Sequence, residues 1–332
     1  MSIDDDTLAY RNLSPDDILD SVESLGLSCD GRLLTLNSYE NRVYRVGIED
    51  GPPVVAKFYR PGRWTDAAIQ EEHDFTLELD EAEVPVAPPI ERGGRTLHHH
   101  GTFRFSVSPC FGGRAPELDN LPLLRQLGRF VGRIHLCGQR TGFRHRPRLC
   151  MESYGEASRH YLLEAGFIPD DIRAAYDSVC DAALERVHHC YERAGEPREL
   201  RLHGDLHPGN VLVLDEVLHI VDLDDTCTGP AIQDLWMFLS GNRVEQTPQL
   251  AELLAGYTEF RDFDAAELNL IEALRTLRLM HYAAWLARRW EDPAFKVGFP
   301  WFGGRRYWDE HVLALREQIA LMDEEPLRWE PA

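Results

Sequence analysis

Arg201-Leu202-His203-Gly204-Asp205-Leu206-His207-Pro208-Gly209-Asn210-Val211-Leu212-Val213, continued by Ile220-Val221-Asp222, is the stretch on which the reading of this 332-residue chain turns. It reads as two short apolar strands flanking a polar loop. The loop carries a carboxylate, Asp205, and five residues later a carboxamide, Asn210. A second carboxylate, Asp222, follows at the end of an apolar run. Phosphoryl transfer from a nucleotide needs these groups: one carboxylate to orient the attacking hydroxyl and accept its proton, and an amide oxygen with another carboxylate to hold a metal on the phosphates. Mg²⁺ prefers few protein oxygens together with phosphates, so one Asn and one Asp suffice.

The spacing H-x-D-x-x-x-x-N is that of a kinase catalytic loop. Lys57 ends the run Val54-Val55-Ala56-Lys57, the pattern of a strand whose ammonium contacts the α- and β-phosphates. A Glu on the next helix holds such a lysine, and Glu71 and Glu72 are the candidates. Glu72 is preferred because Phe75 and Leu79 stand at i+3 and i+7 from it, on one core-facing side. No G-x-G-x-x-G or Walker A sequence occurs, so the phosphate-covering hairpin is assigned to Leu36 to Arg42, offering backbone N–H groups and the Ser38 hydroxyl. Asp224 and Asp225 are read as turn or capping residues, with metal assistance as the alternative. Asp234 is read as an anchor for the catalytic loop's backbone, a task His203 shares. His207 is given a packing role, and His98 to His100 a turn. Only twelve positions separate Asp222 from Asp234, too few for a long activation loop. Arg275, Arg278, Tyr282, Trp285 and Arg289 share one helix face, read as core or as the lining of a substrate cleft.

The chain is long enough for two domains or one bilobal enzyme. Its net charge of −21 argues against nucleic acid and anionic membranes as partners. No apolar run approaches the ~20 residues of a membrane span, and the acidic start Met1 to Asp6 is unlike a signal peptide, so a cytoplasmic address is expected. Seven cysteines at scattered spacings, with no C-x-x-C, fit reduced thiols.

A helix is expected from Ser14 to Gly26, capped by Ser14 with Pro15 at its first position. Strands follow at 33–36, 41–46 and 53–59, then a helix at 66–79, an extended segment at 84–89, and strands near 95–97 and 102–107. Residues 1–110 thus form a nucleotide-binding lobe that is mostly antiparallel sheet, with a hinge at Ser108 to Arg114. Residues 111–332 form a larger, mainly helical catalytic and substrate lobe. Its helices are placed at 121–137, 153–193, from about Ala231, and at 250–260, 265–289 and 307–322, with a loose tail beyond Glu324.

The run from His203 to Asn210, the segment Val221-Asp222-Leu223-Asp224-Asp225, and Gly229-Pro230…Asp234-Leu235-Trp236 resemble the aminoglycoside phosphotransferase/choline kinase-like superfamily. Leu36 to Tyr44, Val55 to Pro61, and Arg288-Arg289-Trp290…Asp292-Pro293-Ala294-Phe295 resemble, more specifically, the bacterial stress response kinase A family, over about residues 10–322. This resemblance implies an α+β, bilobal protein-kinase-like fold, ATP and Mg²⁺, and a cytoplasmic, monomeric Ser/Thr protein kinase linked to envelope and oxidative stress. By position, it makes Asp205 the catalytic Asp, Asn210 and Asp222 the Mg²⁺ ligands, and Ser38 an ATP-loop contact. The alternatives are a small-molecule kinase acting on an amino alcohol, sugar or aminoglycoside, and an ATP-binding scaffold without turnover.

Overall fold

The computed structural model describes residues 10, 12–195 and 197–330, so the acidic stretch from Met1 to Asp6 lies outside the described residues. By contact density the chain divides into two units, the first taking in residues up to Glu117 together with 143–146 and 207–226.

In the first unit, helix α1 (Pro15–Glu23) begins at a capping box: the Ser14 hydroxyl accepts the Asp17 N–H, and the Asp17 carboxylate accepts that of Ser14. Its Ile18 and Val22 pack on a five-stranded antiparallel sheet. The strands are β1 (Cys29–Thr35), β2 (Arg42–Ile48), β3 (Val54–Phe58), β4 (His98–His100) and β5 (Phe103–Pro109), in the order β1-β2-β3-β5-β4. Side chains alternate along β3, so Val54, Ala56 and Phe58 enter the core beneath α1. Lys57 therefore faces the opposite side of the sheet. Helix α2 (Asp66–Glu81) starts at Thr65, whose hydroxyl accepts the Ala68 N–H, and it buries Ile69, Glu72, Phe75 and Leu79.

The three histidines correct the expectation of a turn. They form β4, pairing His98 with Phe105 and His100 with Phe103, and the turn falls one residue later at Gly101, φ 57°. Strands β7 (Val211–Leu214) and β8 (Val217–Ile220) complete this unit as a hairpin whose two turn residues, Asp215 and Glu216, are both left-handed.

The second unit is mainly helical. Helix α3 (Leu121–Gly138) buries the expected stripe of Leu124, Leu127, Val131 and Ile134. The segment read as helical from about 153 to 193 opens with a π turn at Met151–Glu156 and continues as α4 (Ala157–Glu164) and α5 (Asp170–Ala194), with left-handed Gly166 at the break. Strands β6 (Glu199–Leu202) and β9 (Cys227–Pro230) pair antiparallel. From Ala231 the chain forms 3₁₀ turns, Ala231–Asp234 and Trp236–Phe238, where an α-helix was expected. The Gln233 and Asp234 side chains there bond the backbone of residues 203 and 204, a long-range pull that local propensity does not register. Helices α6 (Arg243–Tyr257), α7 (Ile271–Arg288), α8 (Pro293–Gly298) and α9 (Arg305–Asp323) follow. Gly128 and Gly132 let α3 lie directly on α6, since a Cβ added at Gly128 would stand 2.0 Å from the Leu253 carbonyl oxygen.

The tail is tied down, contrary to expectation. Leu327 is buried, Trp329 packs on the edge of Phe263, and Arg243 donates to the carbonyls of Glu325 and Pro326. Among the described residues no helix is long and apolar enough to cross a membrane.

Candidate active site

In the first unit the β3–α2 pairing places Lys57 among three carboxylates. Its Nζ lies 3.2 Å from Glu72 Oε1, 2.9 Å from Asp224 Oδ1 and 3.5 Å from Asp222 Oδ1. Glu72 is therefore the α2 partner of Lys57. Glu71 instead accepts the backbone N–H groups of Arg144, His145 and Arg146. Burial opposes the Lys57 ammonium, but Asp224 and Glu72 outweigh it and raise its pKa well above the lysine range. Glu72 is pushed up by its own burial, against the pull of Lys57.

Asn210 and Asp222 are brought together by the β7–β8 hairpin. Val211 pairs with Ile220, and the Val221 N–H donates to the Asn210 carbonyl at 3.0 Å. The twelve-residue spacing is the length of two four-residue strands, a two-residue turn and their flanks. Asp222 adopts φ 61°, ψ 67°, a left-handed backbone that Asp tolerates better than most residues. Its side chain is 55% exposed. The hairpin thus brings the backbones of these two positions together, and a carboxamide oxygen and an exposed carboxylate are both hard-oxygen donors of the kind a divalent cation takes alongside phosphate and water.

Asp224, two residues on, has the opposite character. Its side chain is 3% exposed and ion-paired to both Lys57 and Arg63. Burial disfavours its charge, yet Arg63 and Lys57 outweigh that and hold its carboxyl well below the usual range. Arg63 also pairs with Asp225 and lies 3.4 Å from Glu40. Arg60 then fixes the base of the Ser38 hairpin: its N–H donates to Asn41 Oδ1 and its Nε to the Glu40 carbonyl, both at 3.1 Å. Ser38 itself sits half-buried between β1 and β2. Arg60 and Arg63 are not site residues in the sequence reading, and Asp224, read there as a turn or capping residue with metal assistance as the alternative, is instead the buried partner of Lys57 and Arg63. The two arginines at 60 and 63 after the Lys57 strand and the Asp224-Asp225 doublet after Asp222 are the signal the sequence offers.

In the second unit Asp205 is ion-paired with Arg278 of α7. The loop before it is held by Asp234, whose carboxylate accepts the N–H groups of His203 and Gly204 at 2.8 and 2.9 Å and contacts His135 Nε2 at 3.1 Å. Gly204 has φ 85°, a turn that glycine makes at least cost. His203 is fully buried beside this anchor; in the first unit, His207 Nδ1 accepts the Gly209 N–H at 2.9 Å. The aromatic stripe of α7 is partly open: Tyr282 is 38% exposed and stacks on Trp285, while Arg275 lies over Trp236.

A family model described as the phosphotransferase enzyme family matches residues 33–271. Serine/threonine protein kinase RdoA of Salmonella typhimurium is 43% identical over 329 residues, 99% of each chain. Stress response kinase A of Escherichia coli (strain K12) is 44% identical over 322 residues, 97% of each chain. Among solved structures, amicoumacin kinase hAmiN in complex with AMP-PNP, Ca²⁺ and Ami superposes with a TM-score of 0.69 over 92% of this chain and 93% of that one, at 20% identity, a likeness of fold. The chain is an ATP-dependent kinase that belongs to the phosphotransferase enzyme family and, within it, to the stress response kinase A family.

Proposed function

We propose that this chain is a cytoplasmic, monomeric Ser/Thr protein kinase of the bacterial stress response, using ATP with Mg²⁺. The observation that carries the protein acceptor is the near-full-length similarity to relatives named for that activity and role. In this reading residues 1–110 are the nucleotide-binding lobe and 111–332 the catalytic and substrate lobe. Asn210 and Asp222 are the Mg²⁺ ligands, and the bound cation neutralises phosphate charge.

The rest is done by the chain's own residues. Lys57 donates to the α- and β-phosphates, and Glu72 keeps its ammonium from collapsing wholly onto Asp224. The backbone N–H groups and Ser38 hydroxyl of the hairpin cover the phosphates. Asp205 orients the acceptor hydroxyl and takes its proton, and Asp234 fixes the loop that presents it.

The test is transfer of radiolabel from Mg-ATP to a mixed protein acceptor, run beside a panel of amino alcohols and aminoglycosides. Label on Ser or Thr of protein, abolished in Asp205→Ala, is expected. Label confined to the small molecules overturns the protein-kinase reading.

A further inference from the structure

Resting on the protein-kinase reading, we propose that Arg278 makes the acceptor side of Asp205 selective for anions, so that the phosphorylated Ser or Thr lies in an acidic segment flanked by Glu or Asp.

Between Asp205 and Asn210 the loop reads Leu206, His207, Pro208, Gly209, with no Lys or Arg. The permanent cation at the acceptor-orienting carboxylate comes from a different element: Arg278 Nη1 of α7 donates to Asp205 Oδ1. A guanidinium carries five N–H donors in a planar fork, more than one carboxylate oxygen uses. The Arg278 side chain is 41% exposed and that of Asp205 25%, so both remain open to solvent while paired.

An acceptor hydroxyl reaching Asp205 must therefore pass beside a fixed positive charge. A carboxylate next to that hydroxyl gains a charge-assisted hydrogen bond from Arg278. A cationic amino alcohol or aminoglycoside meets like charge at the same place, although the chain as a whole carries −21. The face of α7 extends this surface. Arg275, ion-paired with Glu272 at 3.4 Å and lying over Trp236, stands one turn before Arg278, and the exposed Tyr282, stacked on Trp285, one turn after, so Arg278 carries the charge and its neighbours the shape of the surface. A run of several residues suits an extended peptide better than a compact amine. Arg278 is a specificity and positioning residue in this account, while Asp205 remains the group at the reacting hydroxyl.

The experiment compares kcat/KM for two Ser peptides of equal length, one flanked by Glu and one by Lys, in the full chain and in Arg278→Gln, Arg278→Lys and Arg278→Glu, with 1-amino-2-propanol as the cationic small-molecule arm. The ratio within each protein is the readout, so partial loss of folded enzyme cancels. The native chain is expected to favour the Glu-flanked peptide by about tenfold or more, the gain typical of opposite over like charge at a contact. Arg278→Lys keeps part of that ratio, Arg278→Gln brings it near one, and Arg278→Glu inverts it. Equal rates for both peptides in the native chain, or a ratio unmoved by Arg278→Glu, overturns the inference and leaves the protein-kinase reading standing. Phosphorylation of the amino alcohol with neither peptide labelled overturns that reading itself.

Discussion

Asp222 and Asp224 stand two residues apart and carry the same carboxylate, and the proposed function gives them opposite tasks, a metal ligand and a buried ion-pair partner. Exchanging each for Asn separates them. Asp224 has a 3%-exposed side chain, lies 2.9 Å from Lys57 Nζ and is ion-paired with Arg63. Removing one member of a buried ion cluster typically costs about 3–5 kcal/mol. Arg63 keeps Asp225 and Glu40, and Lys57 keeps Glu72, so the lower end of that range, about 3 kcal/mol, applies to Asp224→Asn. At about 2–4 °C per kcal/mol in a protein of this size, the melting temperature falls by about 6–12 °C. The pH dependence follows from the direction of the shift. A carboxyl held below its unfolded value stabilises above about pH 4 and loses that contribution as pH falls further, so the gap between native and variant is constant near neutrality and closes below about pH 4. Asp222→Asn keeps a residue that tolerates the left-handed backbone, and its exposed side chain is only 3.5 Å-paired to Lys57. Its stability changes by about 0.5 kcal/mol or less, while phosphotransfer falls by about a hundredfold or more through loss of a metal ligand. Thermal melts from pH 3 to 8 and steady-state kinetics on both variants check this. Equal destabilisation by the two substitutions, or an Asp224→Asn melting temperature within about 2 °C of native, refutes the assignment of roles.

Asp234→Asn replaces a fully buried carboxylate that accepts two backbone N–H groups with an amide that can accept only at its one oxygen, so one N–H of residues 203 or 204 faces an NH₂. The expected cost is about 2–4 kcal/mol, with kcat down about a hundredfold through misplacement of Asp205 and KM for ATP little changed; melts and kinetics measure both. Glu267 accepts the Ile232 N–H at 2.9 Å, and its burial pushes its pKa up from 4.5 to about 7. Between those values the folded chain holds a proton the unfolded chain has lost, so stability falls with rising pH across that window by about 3 kcal/mol and is level above it. Urea denaturation from pH 4.5 to 8 should show this slope in the native chain and its loss in Glu267→Gln.

The sequence made legible those features that local pattern determines. The capping box at Ser14, the strand alternation that turns Lys57 away from the core, the buried stripe of α3, and Glu72 in phase with Phe75 and Leu79 all lie within a few turns of chain. Apart from Asp234, read as the anchor of the loop before Asp205 and found bonding it, features set by distant partners were not legible. The 3₁₀ turns after Pro230 exist because Gln233 and Asp234 bond a loop some thirty residues earlier. The tail is held by Arg243 and Phe263, which no property of the tail announces. Asp224 read as a turn residue because its partners Lys57 and Arg63 lie more than 160 positions away.

One compositional fact connects the site to the chain's chemistry. Of the 35 basic residues only two are lysines, Lys57 and Lys296, and the other 33 are arginines. A chain with so strong a preference for Arg keeps Lys at 57 for a geometric reason. Three carboxylates, from Glu72, Asp224 and Asp222, converge within 3.5 Å of one Nζ atom. An ammonium is a compact point charge with three rotatable donors that can turn toward partners converging from different sides, whereas a guanidinium holds its five donors in one plane and meets its partners around that plane's edge. Arg63 occupies the neighbouring position where a fork is useful, bridging Asp224 and Asp225 through its two terminal nitrogens. The division of labour follows from shape: the fork ties the hairpin base, the β3–α2 loop and the segment after Asp222 together, and the point charge gathers Glu72, Asp224 and Asp222 at the end of β3.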